Sequence, residues 1–309
     1  MVRRILITGA NKGIGLAVAR RCLADHEDTH VILGCRSVAR AEAAVAELAA
    51  EDGSWRERTT VLEMDASSAE SITAAAATLE AQLGKNGRLY GIVNNAGRGG
   101  GTVSEVLTLN VRGPQRVDKA FIPLLEKKKG RIVQMSSGAA SGCVSRSSPE
   151  KVAFFCDPKI TWAQIEGLMS EVESYPNGAK DFEANGLGVA FGGAYGLSKA
   201  LLNSYTLCLA REQPQLRVNS CSPGMIATDF IGASMPWWVP LPNAFFRFLA
   251  RKLINAKTPD EGAVSTLHLL FTDDKYVPGG YFGSDAKRSP LDKYRSPGSE
   301  PYDPGPGKV

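Results

Sequence analysis

The chain opens on an extended, β-rich run, Arg3 to Thr8, that passes without a spacer into Thr8-Gly9-Ala10-Asn11-Lys12-Gly13-Ile14-Gly15 and then a helical stretch from Gly13 to Asp25. Glycines let the backbone turn sharply and come close to an anion. The helix N-terminus behind them offers free amides and the positive end of a dipole. The spacing Gly-x-x-x-Gly-x-Gly differs from the commoner dinucleotide fingerprint, but strand, turn and helix in that order is the context such a motif requires. Gly9, Asn11, Lys12, Gly13, Ile14 and Gly15 are therefore expected around a pyrophosphate, with a ligand-free glycine turn as the alternative.

The same rhythm continues along the chain. Strands are expected over Arg3 to Thr8, His30 to Cys35, Thr59 to Met64, Leu89 to Val93, Gly130 to Met135, Leu216 to Cys221 and Gly280 to Phe282. Helices are expected over Gly13 to Asp25, Val38 to Glu51, Ala69 to Leu83, from Pro114 onward, and over Ala194 to Glu212. Such βαβα alternation predicts an α/β protein, a Rossmann-type doubly wound parallel sheet of about seven strands covered by helices on both faces. Residues 1–288 are read as one domain. Within it, 138–194 form a helical insertion, in which Thr161 and Gln164 have capping-box spacing ahead of a helix running to Glu173. From Ser289 to Val309 the chain is rich in Pro and Gly, so that tail is expected to be disordered or draped over the surface.

The end of the second expected strand speaks to cofactor choice. An NAD site usually places an acid there to hold the ribose hydroxyls, whereas a 2′-phosphate calls for a cation. This chain has Gly34-Cys35-Arg36-Ser37. Arg36 is placed to stack on an adenine and bond a phosphate, with Lys12 and Arg40 adding charge, so NADP(H) is favoured over NAD; a surface strand cap is the other reading of Arg36.

Tyr195 and Lys199 stand four residues apart on an expected helix, which puts a phenol and an ammonium on one face. A nearby positive charge stabilises a phenolate, making such a tyrosine a better proton donor. The spacing alone also suits an ordinary helix face, and its company decides between the two.

Composition narrows the classes. A net charge of +4 gives no field strong enough to indicate nucleic acid, and Lys127-Lys128-Lys129 reads as a solvated turn before a strand. The 6 cysteines form no Cys-x-x-Cys and lie in apolar patterns, as free core thiols would. The 3 histidines, His26, His30 and His268, lack metal-ligand spacing, so no metal is expected. With the first strand starting at Arg3 and no apolar run of spanning length, a cytoplasmic protein without a transmembrane segment is expected.

Taken together, Thr8 to Gly15, Asp65, Asn94-Asn95-Ala96-Gly97, Asn110, Ser136-Ser137, Tyr195 with Lys199, and Pro223 to Thr228 resemble the short-chain dehydrogenase/reductase family over nearly the whole chain to about residue 288. The insertion before Tyr195 is similar to that of the monomeric NADPH carbonyl reductases and their plant relatives. The resemblance implies a catalytic set: Tyr195 as the acid, Lys199 lowering its pKa and holding the nicotinamide ribose, Ser137 polarising the carbonyl, and Asn110 holding a water for proton refilling. It also implies cofactor contacts from Asp65, Ala66, Asn95, Ala96, Gly97, Pro223, Gly224, Ile226 and Thr228. Residues 228–256 would be the substrate lid, with Trp237 and Trp238 covering a bulky or aromatic carbonyl compound. Core packing or contact with a membrane surface are the other readings of that stretch.

The implied activity is NADPH-dependent reduction of a ketone, aldehyde or quinone, a small-molecule substrate. Alternatives are secondary-alcohol oxidation and a non-catalytic NADPH-sensing protein. The implied assembly is a monomer, the insertion folding over the apolar face of the Tyr195 helix at Leu202, Tyr205 and Leu209. The helix that usually follows Asn-Asn-Ala-Gly is expected to be shortened, because Arg98-Gly99-Gly100-Gly101 occupies its start.

Overall fold

The computed structural model describes residues 2–85, 87–190, 193–226, 256–273 and 276–303. Eight strands form one sheet in the order β3-β2-β1-β4-β5-β6-β7-β8. They are β1 (Arg3–Thr8), β2 (Thr29–Cys35), β3 (Thr59–Glu63), β4 (Leu89–Asn94), β5 (Arg131–Met135), β6 (Arg217–Cys221), β7 (Tyr281–Phe282) and β8 (Arg288–Ser289). Pairings from β3 through to β7 are parallel, and β8 returns antiparallel to β7. The order reverses between β1 and β4, so the carboxyl ends of these two strands open a crevice at the switch point.

Side chains alternate across each strand and feed two cores. Leu6, Ile32, Ile92 and Ile132 face one, closed by α3 (Ala69–Leu83), α5 (Gly113–Phe121) and α9 (Ala194–Glu212). Ile5, Ile7, Val31 and Val133 face the other, closed by α1 (Gly13–Asp25), α2 (Val38–Glu51) and α10 (Pro259–Phe271).

The chain departs from the sequence expectations in three places. Helix begins well before Pro114. A Thr102/Glu105 capping box starts α4 (Val103–Leu107), which continues through a π turn at Thr108–Arg112 into α5. Secondly, α10 follows another capping box, Thr258/Glu261, with Pro259 in the first turn. Thirdly, the expected boundary at 288 cuts through β8, and the segment beyond it packs. Leu291 is buried, and Arg295 is paired with Asp285 and also donates to Ser289 Oγ. A two-residue strand has no periodicity to read, so pairing with β7 alone makes it an eighth strand.

The insertion contains α6 (Gly138–Val144), α7 (Pro149–Phe155) and α8 (Trp162–Glu173), the last opened by the expected Thr161/Gln164 capping box. Trp162 meets the Tyr205 ring edge-on at 5.5 Å, and Ser204 Oγ donates to Phe155 O. Arg112, from the π turn, bonds Glu166 at 2.6 Å and Glu173 at 2.7 Å, clamping α8 to the body of the fold. Burial of Phe155 and Phe182 beneath these helices contributes on the order of 2 kcal/mol each.

Candidate active site

A cleft of about 2230 Å³ runs across the carboxyl ends of the strands. Gly9, Asn11, Lys12, Gly13, Ile14, Arg36, Asp65, Ala66, Asn95, Ala96 and Gly97 line one part of it; Ser137, Tyr195, Lys199, Pro223, Gly224 and Ile226 line another. Gly9 and Gly13 are left-handed, at φ 65° and 58°, which wraps the loop around the start of α1, where no side chain caps the helix. Gly15 and Arg40 are not among the lining residues. A Cβ on Gly15 would lie 2.5 Å from Asn95 Nδ2 and 2.7 Å from Gly9 O, so this glycine serves the packing of the loop. Arg40 follows the N-cap of α2 and is exposed outside the cleft. Thr228, Trp237 and Trp238, and with them the expected lid, lie outside the described residues.

Several motif residues brace the site. Asn95 Nδ2 donates to Thr8 O at 2.9 Å and to Gly9 O at 3.2 Å, while Thr8 Oγ1 accepts from the amides of Asn95 and Ala96. Asn110 is fully buried behind the cleft. Its Oδ1 accepts from Arg98 N, and its Nδ2 donates to Arg98 O and to Ser198 Oγ at 3.0 Å. The side chain thus ties the loop after Gly97 to the Tyr195 helix. Of the serine pair, Ser136 is buried with its Oγ towards Lys199 O, and Ser137 opens to the cleft as the N-cap of α6.

A family model described as short chain dehydrogenase matches residues 3–148. Carbonyl reductase (NADPH) 1 of Homo sapiens is 31% identical over 297 residues, 91% of this chain and 96% of that protein. The chain belongs to the short-chain dehydrogenase/reductase family. Its relatives also include (+)-neomenthol dehydrogenase of Arabidopsis thaliana, 30% identical over 91% of this chain and 96% of that one. Salutaridine reductase of Papaver somniferum shares the fold, with a TM-score of 0.70 at 23% identity over 90% of this chain and 99% of that chain.

As a short-chain dehydrogenase/reductase, an oxidoreductase by family, the chain keeps a half-buried phenol beside a buried amine. Lys199 Nζ lies 5.8 Å from the Tyr195 ring centre and donates to Met135 O at 2.7 Å. Burial pushes the Lys199 ammonium down to about 8, against a smaller opposing pull from Cys221. Burial also raises the Tyr195 phenol, and the hydrogen bond with Ser137 works against it. The expected lowering of the phenol by Lys199 is not found: burial sets the direction, and it is Ser137 that opposes it. At the other end, burial disfavours the Asp65 carboxylate, but bonds from Ser67 and the charge of Arg36 hold it below the usual range.

Sequence reasoning missed Ser222, whose Oγ accepts from the amides of Gly138 and Gly224 and so joins the loops after β5 and β6. Its place beside the Pro223-Gly224 motif was the available signal. The Met135 carbonyl that orients Lys199 has no side-chain signature at all.

Proposed function

We propose that this protein is an NADPH-dependent carbonyl reductase acting on a bulky or aromatic ketone, aldehyde or quinone, with Tyr195 as general acid. The observation that carries this reading is the single cleft joining the glycine loop and Arg36 to Ser137, Tyr195 and Lys199. The names of the carbonyl reductase and neomenthol dehydrogenase relatives support the same class of chemistry.

The residues fit the cofactor. Left-handed Gly9 and Gly13 leave the amides at the start of α1 available to a pyrophosphate, and Arg36 at the end of β2 offers a cation to a 2′-phosphate. A Cβ on Gly97 would stand 3.2 Å from Asn110 Oδ1 and 3.6 Å from Lys199 Nζ, so this glycine lies directly beside both. Bound NADPH would supply a hydride to the carbonyl carbon. Ser137 would hydrogen-bond the carbonyl oxygen and stabilise the charge developing there. Tyr195, held protonated by burial, would give its proton to that oxygen, since an alkoxide is a far stronger base than a phenolate. Lys199 would stabilise the phenolate left behind and hold ribose hydroxyls. Asn110 and Met135 would keep that helix and amine in register.

A monomeric protein of the cytosol is part of the same reading. Residues Leu202, Tyr205 and Leu209 on α9 are buried within one chain, and the 6 cysteines are free thiols suited to a reducing compartment. Loss of NADPH absorbance with a panel of aromatic and aliphatic carbonyl compounds tests the proposal. Reduction of at least one aromatic ketone or quinone is expected, and NADPH binding without turnover of any compound would overturn it.

A further inference from the structure

Beyond β8 the chain returns to the cleft. Tyr294 lines it together with Ser137 and Tyr195, and it is the most exposed large hydrophobic side chain among the described residues, at 57%. One edge of its ring rests on the backbone of Gly138, the residue after Ser137. A Cβ added at 138 would lie 3.0 Å from Tyr294 Cε2 and 3.4 Å from Cδ2. The rest of the ring is open.

The segment holding it is pinned on both sides. Leu291 is buried at 5% exposure, and the Arg295 side chain is 6% exposed. Arg295 pairs with Asp285, and it donates to Ser289 Oγ at 3.0 Å and to Ser299 O at 2.9 Å. Gly298 N donates to the other oxygen of Asp285 at 2.8 Å. Because these anchors already order the segment, a ligand that covers the ring orders the side chain alone and no loop, which leaves more of the stacking energy to affinity.

We propose that Tyr294 is a specificity-determining residue, the aromatic wall of the substrate subsite, selecting flat aromatic carbonyl compounds by stacking beside Ser137. The Arg295–Asp285 pair acts through it as a positioning device. This rests on the carbonyl reductase reading for the identity of the substrate, but the ring's role is read by binding alone.

The test titrates naphthyl methyl ketone into protein saturated with NADP⁺, a mixture that cannot turn over, for the wild type, Tyr294→Ala and Tyr294→Phe. Tyr294→Ala should bind the ketone about tenfold more weakly, while Tyr294→Phe stays within about twofold, because the ring face and not the hydroxyl makes the contact. Affinity for NADPH should be the same in all three. In turnover, Tyr294→Ala should raise KM for the aromatic ketone and leave that for acetone unchanged. Equal ketone affinity in Tyr294→Ala and the wild type, or no ketone binding by the wild type, would overturn the proposal. If the binding difference holds but no carbonyl compound is reduced, the reductase reading fails and the aromatic subsite stands. Should Tyr294→Ala unfold, Tyr294→Leu compared with Tyr294→Phe carries the same contrast.

Discussion

Asp118 Oδ2 accepts a 2.6 Å hydrogen bond from Gln134 Nε2 in the interior of the fold. Asn94 Nδ2 donates to the other carboxylate oxygen at 2.7 Å, and Tyr205 OH donates to Oδ2 at 3.1 Å. Asn94 immediately precedes Asn95, which braces the glycine loop, and Gln134 precedes Met135, which orients Lys199. A buried carboxyl therefore links β4 and β5, the strands that lead into Asn95 and Met135.

Burial pushes the Asp118 carboxyl up to about 7, with the three hydrogen bonds opposing it. Between about pH 4 and pH 7 the unfolded chain ionises this group while the folded chain keeps its proton. The unfolded state then binds fewer protons, so the contribution of Asp118 to stability falls as pH rises through that window, by about 1.4 kcal/mol per unit of pKa difference. Asp118→Asn removes the titration; with its amide nitrogen towards Asn94, a flip of the Asn94 amide brings Oδ1, buried and unpartnered among the described residues, round as the acceptor. Urea unfolding at several pH values should show Asp118→Asn gaining stability relative to the wild type as pH rises towards 7. A constant difference between the two across that range would refute the raised pKa.

Tyr195→Phe keeps the ring and removes the proton. NADPH affinity should be nearly unchanged and turnover should fall by a factor on the order of 10² or more. Wild-type turnover in this variant would sink the assignment.

Because Lys199 titrates near 8, the charge that supports a Tyr195 phenolate is present below that pH and lost above it. Carbonyl reduction should therefore decline as pH rises through about 8. A kcat profile that is flat through this region would show that the charge on Lys199 is not required.

Arg36→Asp replaces a phosphate partner at the end of β2 with a repelling charge. NADPH should bind roughly ten- to hundredfold more weakly, while NADH weakens less or improves. Titration of the wild type settles the premise: equal affinity for NADH and NADPH would count against it.

The insertion buries the face of α9 that would otherwise be available for association. Light scattering at micromolar concentration should return a mass near 33.0 kDa. A stable dimer or tetramer would mean that this cover does not prevent assembly.

Local periodicity was enough to locate the core elements. The expected β1, α1, α2, α3 and α9 match their observed limits, and β2 to β7 end within a residue or so of expectation. Each has a hydrophobic pattern or a cap within its own residues. The capping boxes at Thr102 and Thr258 carried the same local signal for α4 and α10, although the sequence reading did not use it. The glycine loop and the Tyr195–Lys199 pair were legible from spacing and Ser137 from the family resemblance; the tertiary structure lines one cleft with them. Which side chains face the cleft depended on tertiary packing. Asn110 is turned behind it by hydrogen bonds to Arg98 and Ser198, and Gly15 is kept small by Asn95. The titration of Tyr195 and Lys199 was decided by burial, a property of the surrounding fold that their spacing does not contain. The return of Tyr294 to the site follows from β8 pairing with β7 and from Arg295 meeting Asp285, contacts that no periodicity in a Pro- and Gly-rich stretch encodes.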